Sequence, residues 1–168
     1  MKNGIRKKGW LLVPVILLLA AAPVLLVAKA DVLVDTGLSV HDDGNGLVEY
    51  AIHLENAGRF DVTVLDVRVN GRERPDRLRL GAGHAGRVVQ PGTDDPAIRW
   101  TAPGAMPIRP RSSMEEAARN GDRTVPVQYG LAFAWPGEIE RVTIAYRYLG
   151  LEKTLDVTRW FSGSGPAL

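Results

Sequence analysis

The sequence predicts an all-β, antiparallel, two-layered sandwich with one short connector helix, preceded by an N-terminal hydrophobic helix. Three observations carry that prediction. After residue 30, apolar residues recur with period two in about seven to nine short runs spaced by about 8–12 residues. Turn-forming Gly, Asn, Asp and Pro clusters separate those runs. Helical periodicity after residue 30 is confined to one stretch of about two turns, too short to be a core element.

Residues 1–30 concern address. Lys2, Arg6, Lys7 and Lys8 precede an uncharged run over residues 10–28 that includes Trp10, Leu11, Leu12, Leu17, Leu18, Leu19, Leu25, Leu26 and Ala28. At about 1.5 Å per residue this run reaches roughly 28 Å, close to the hydrocarbon thickness of a bilayer. The flanking positive charge favours a cytoplasmic amino terminus and places everything after Lys29 outside. Two outcomes stay open: retention as a single-pass membrane anchor, or cleavage after Ala30 within Ala28-Lys29-Ala30, which releases a secreted protein. Both export the domain expected at residues 31–161, with residues 162–168 as a flexible tail.

Charge narrows the partners. The chain carries a formal +2, but five of its 21 basic residues and no acid precede Asp31. The remaining 16 basic and 19 acidic residues leave residues 31–168 at −3, which argues against nucleic acid held by phosphate neutralisation. With no cysteine, a disulfide frame, a thiol nucleophile and a cysteine zinc site are excluded.

Residues 32–40 read as a first strand, followed by the acidic turn His41-Asp42-Asp43-Gly44-Asn45-Gly46. Calcium is one reading of Asp42, Asp43 and Asn45. The other is a turn whose side chains cap their own backbone; an EF-hand register fails, because it sets His41 where the first aspartate belongs and Ile52 where the closing glutamate belongs. Residues 47–70 are read as the organising hairpin. Val48, Tyr50, Ile52 and Leu54 alternate with Glu49, Ala51, His53 and Glu55; a turn at residues 56–59 follows; Phe60, Val62 and Val64 resume the alternation. The apolar phase slips at Val64 and Leu65, the mark of a β-bulge or of a strand changing sheets. Burying the four apolar residues of the first strand returns roughly 6–12 kcal/mol, against roughly 8–16 kcal/mol to order its backbone. A second sheet must therefore cover it.

Asn70-Gly71 is a reverse-turn dipeptide. After it, Arg72, Arg74 and Arg77 lie among acids in a segment read either as a solvated edge or as a surface for lipid phosphates or an anionic wall polymer. Gly81, Gly83 and Gly86 read as a flexible link into a short strand at residues 87–90. Residues 97–101 make a brief strand with Trp100. In the helix at residues 113–121, Ser113 and Glu116 fit a capping box, Glu115 and Glu116 suit the first turn, and Gly121 is placed to stop it. The irregular insertion over residues 91–123 is the first place to look for binding. A second hairpin is expected from residues 125–148, turning at Trp135-Pro136-Gly137-Glu138, with a last strand after Gly150.

The run Val48-Glu49-Tyr50-Ala51-Ile52-His53-Leu54-Glu55-Asn56-Ala57-Gly58, with Asp61-Val62-Thr63-Val64 and Val67-Arg68-Val69-Asn70-Gly71, resembles the immunoglobulin-like and fibronectin-like modules of bacterial cell-surface proteins over roughly residues 32–160. The cysteine pair and intervening tryptophan of antibody domains are missing. The resemblance implies a non-catalytic module, with no catalytic residue, metal or cofactor to transfer. The residues agree: Ser39, Ser112, Ser113, Ser162 and Ser164 occupy no nucleophile elbow, and Asp42-Asp43, Asp94-Asp95 and Glu115-Glu116 are neighbours whose side chains diverge in an extended chain. Two functions are expected: binding of an envelope protein partner, or binding of a glycan or anionic wall polymer using Arg72, Arg74, Arg77, Trp100 and Trp135 with Trp160 as a further stacking surface. Clustered exposed indoles would favour the glycan, and an exposed apolar patch the protein.

Overall fold

The computed structural model describes residues 30–161. The expected membrane-spanning or signal segment at residues 10–28 and the tail at residues 162–168 lie outside the described residues. No helix among the described residues is long and apolar enough to cross a membrane.

Among the described residues, eight antiparallel strands form two sheets. They are β1 (Leu33–Asp42), β2 (Val48–Asn56), β3 (Val62–Val69), β4 (Asp76–Gly83), β5 (Ile98–Thr101), β6 (Gln128–Ala134), β7 (Val142–Tyr148) and β8 (Leu151–Val157). The larger sheet runs β1-β2-β6-β4-β5 and the smaller β3-β7-β8. Ile52, Leu54, Leu80, Leu131 and Phe133 of the first and Val62, Val64, Val67, Ile144 and Tyr146 of the second are all buried. They bury the two facing sides as one apolar layer, the arrangement of an all-β sandwich. The helix α1 (Arg111–Arg119) is inserted between β5 and β6.

The two expected hairpins are not hairpins. β2 belongs to the five-stranded sheet and β3 to the three-stranded one, as do β6 and β7 respectively. Each turn therefore crosses from one layer to the other. Asn56 organises the first crossing: fully buried, it donates from Nδ2 to the carbonyls of Phe60 (2.8 Å) and Ile108 (2.9 Å) and accepts the Gly58 N–H at Oδ1 (2.9 Å). The phase slip does mark a bulge, with the β3–β7 register shifting between Val64 and Asp66. The turns fall where expected. Asn70 and Gly71 adopt φ of 51° and 74° in a three-residue turn between Val69 and Glu73, and Leu149 and Gly150 adopt 51° and 81° in a two-residue turn between Tyr148 and Leu151, the paired positive φ values that type I′ geometry requires.

β4 keeps one expectation and corrects another. Its first half, Asp76 to Arg79, pairs with β6 alone and leaves the arginine-rich segment on an open edge with Asp76 and Arg77 exposed, while its second half lies between β6 and β5 and contains Gly81 and Gly83, which the sequence places in a link. Residues 87–90 form no strand; with the rest of residues 84–97 they cross the outer face of the larger sheet as a strap. A transverse row on that face runs Gly37, His53, Gly130, Gly81, Trp100, and Val89 seats on it with 0% exposure. A Cβ at either Gly81 or Gly130 would lie 2.7 Å from Val89 Cγ1, so these glycines are the floor on which the strap rests.

α1 begins two residues before the expected position and without the capping box. Pro110, at φ −54°, precedes it, no side chain caps it, and no acid lies in its first turn. Proline pre-sets the helical φ, and its carbonyl accepts the N–H groups of Ser113 and Met114. Gly121 ends the helix as expected: at φ 72° it donates to Ala118 O while Asp122 N–H reaches Ala117 O, a Schellman closure.

Candidate functional site

Three surfaces on the described domain combine exposure with specific chemistry. The first is the strapped face. Glu49, expected on a solvated face, is only 6% exposed, with Arg77 Nη1 at 3.4 Å from Oε1 and Arg79 Nη2 at 3.5 Å from Oε2. Its Oε2 also accepts the Gly92 N–H of the strap at 3.0 Å. Arg79 in turn lies 4.2 Å above the Trp100 ring. His53 Nε2 is 3.0 Å from Ser39 Oγ and 3.2 Å from the Val89 carbonyl oxygen. A carbonyl only accepts, so Nε2 carries the proton. Burial pulls the imidazole pKa down, and the Val89 bond only partly opposes it.

The structure distributes the residues proposed from sequence as a ligand surface. Arg74 faces Asp66 at 3.8 Å, beside the tighter Arg68–Asp66 pair at 2.7 Å. Arg72 sits in the turn after β3, and its carbonyl accepts Arg68 Nη1. Arg77 is paired with Glu49, and Trp100 lies under Arg79. The Trp100 and Trp135 indole N–H groups are both buried without a hydrogen-bond partner among the described residues, while the Trp160 N–H donates to Asp35 Oδ2 at 2.6 Å. The three indoles have separate neighbours. In the acidic turn, Asp42 Oδ1 accepts Gly44 N–H, and Asp43 Oδ1 accepts the N–H groups of Asn45 and Leu47. These bonds hold the Asp43 carboxyl below its usual range.

The second surface is an end of the sandwich. The β2–β3 crossing and the β7–β8 turn meet there, because Val62 pairs with Tyr148. Phe60 and Leu149 are 54% and 50% exposed, and the Phe60 and Tyr148 rings lie 6.3 Å apart. Tyr148 Oη accepts the Arg59 N–H, fixing one loop against the other.

The third is a cleft of about 260 Å³ on the inner side of the larger sheet, lined by His84, Arg99, Met106, Arg109, Thr124 and Tyr129. Leu54, Tyr129, Ala82 and Arg99 form one cross-strand row. Arg99 stands at the β5 end of that row and is exposed, while Tyr129 is 1% exposed. The Arg109 N–H donates to Tyr129 Oη at 3.3 Å. Burial raises the phenol pKa, keeping it protonated. Sequence reasoning pointed to this insertion but missed these residues; only the register brings Arg99 beside Tyr129.

Among the described residues, no group of three or more His, Asp or Glu side chains is placed to hold a metal ion. No family model, curated protein or solved structure matches this chain.

Proposed function

We propose that the protein is a non-catalytic, extracytoplasmic binding module of immunoglobulin-like type, tethered by its hydrophobic leader, that holds a protein partner in the cell envelope. The order β1-β2-β6-β4 against β3-β7-β8 supports the finer fold reading, since it is the ABED and CFG order of a constant-type immunoglobulin sandwich, with β5 added at one edge. The charged flank and apolar run over residues 10–28 support the tether. One observation carries the partner reading: Phe60 and Leu149, both about half exposed, project from two loops held together at one end. Large apolar side chains on adjoining loops are the kind of anchor that protein interfaces bury.

The test is crosslinking and co-purification of the full chain from native membranes, with Phe60→Asp and Leu149→Asp as paired variants. Loss of one defined protein from both variants, with the fold retained, is the expected result. Recovery of wall polymer alone, released by added salt, rejects this reading in favour of the polymer-binding one, which the arginines of the cleft favour. Intact mass and membrane partition test the address: a mature species starting at Asp31 and free in the medium replaces the anchor with secretion.

A further inference from the structure

We propose that the cleft between β5, β6 and the segment preceding α1 is a binding site for a phosphate-type oxyanion, held by Arg99, Arg109 and Tyr129. This does not depend on the protein-partner reading and uses different residues from the arginine-rich segment after β3.

Charge balance separates these two guanidinium groups from their neighbours. Arg87 is held by Asp95 at 3.4 Å, Arg111 by Glu55 and Glu115 at 3.2 and 2.6 Å, and Arg77 and Arg79 by Glu49. Arg99 and Arg109 form no ion pair with any described residue, yet both line the same cavity. Two acids act on the cleft: Asp61, whose charge adds to the raising of the Tyr129 pKa, and Asp122, whose carboxyl is held low first by the Thr124 hydroxyl and N–H and then by the charge of Arg109. Asp122 Oδ1 is already engaged by Thr124 at 2.7 and 2.9 Å, so it tempers the positive field without closing the cleft.

The phenol supplies the built part. Tyr129 is buried in the sheet, its oxygen accepts from the Arg109 backbone, and its own proton has no acceptor among the described residues. A buried donor left unused costs free energy that a ligand oxygen recovers. Its cross-strand neighbours are Leu54 and Ala82 and the side chain is buried, so the phenol oxygen is held in place before any ligand arrives. The donors come from three separate elements, β5, β6 and the loop before α1, and line one cavity. A tetrahedral oxyanion has oxygens enough to engage all three, whereas one arginine fork satisfies a planar carboxylate alone. His84 on the wall adds a further ring N–H, and Met106 gives the cavity an apolar side for a substituent on the phosphate.

Two sources share this chemistry: free inorganic phosphate and the phosphodiester of an anionic polymer. The full-length chain in detergent is titrated calorimetrically with inorganic phosphate and, separately, with a short glycerol phosphodiester oligomer. Saturable binding of at least one probe is expected, weakened tenfold or more by Arg99→Gln and by Arg109→Gln and unchanged by Arg147→Gln, which lies on the smaller sheet. Tyr129→Phe keeps the ring and removes only the donor, and should weaken binding several-fold with an unchanged circular dichroism spectrum. Binding of inorganic phosphate alone assigns the free ion, and binding of the oligomer assigns the polymer. Absence of saturable binding of both probes overturns the proposal, as does equal weakening by Arg147→Gln.

Discussion

Gly130→Ala tests whether the strap is locked by the missing side chains beneath it. Gly130 has no positive φ, so alanine is conformationally acceptable there, and any cost comes from space. A Cβ at this position would lie 2.7 Å from Val89 Cγ1 and 2.8 Å from Val89 Cβ. Carbon atoms in contact sit about 3.5–4.0 Å apart, so the two chains must separate by roughly 1 Å. Overpacking of that kind costs about 1–3 kcal/mol. Lifting the strap instead re-exposes Val89, also worth about 1.5–3 kcal/mol. Either route gives about 2 kcal/mol. Val89→Gly removes both clashing atoms, and in that background Gly130→Ala should cost nothing or stabilise by about 0.4–1 kcal/mol through the unfolded chain. The coupling between the two sites is then about 2–3 kcal/mol, measurable by urea unfolding of all four proteins. Hydrogen exchange at Val89 N–H, which donates to Gln128 Oε1 at 2.9 Å, reports the strap directly and should accelerate in Gly130→Ala alone. Equal costs in both backgrounds would refute the lock.

Asn56→Ala removes three hydrogen bonds made by a buried side chain at the first sheet crossing and should lower stability by about 2–4 kcal/mol in urea unfolding; a loss below about 0.5 kcal/mol means the crossing is held elsewhere. His53 gives a pH signature. Its folded pKa is depressed below the usual 6.5, so the unfolded chain binds more protons and stability is lost as pH falls below about 6.5. The drop in urea midpoint between pH 7.5 and 5.5 should shrink in His53→Asn, and an identical drop in both proteins would discard the assignment. Gly121→Ala forces a side chain onto φ 72° at the end of α1 and should cost about 1 kcal/mol, read as a lowered urea midpoint.

Short-range features were readable from residues. The period-two runs located most strands, the turns at Asn70-Gly71 and at Gly150 follow from residues that tolerate positive φ, and Gly121 closes its helix because a left-handed residue is needed there. The misreadings share one cause. A strand followed by a short turn looks the same whether the next strand pairs beside it or crosses to the opposite layer, so β2–β3 and β6–β7 passed for hairpins. Glycine in a strand looks like a breaker unless the side chain that fills its space is known, and Val89 comes from a segment that forms no strand.

The all-strand class, the position of most turns, the net charge of the domain and the apolar run ahead of it are written in the order of the residues. These depend on each residue's own preferences and its near neighbours. Which strands share a sheet, the strap over Glu49 and His53, and the cavity that Arg99, Arg109 and Tyr129 line together emerge with the packed fold. Those outcomes are set by register between strands distant in sequence, where a shift of one residue turns every side chain to the other face.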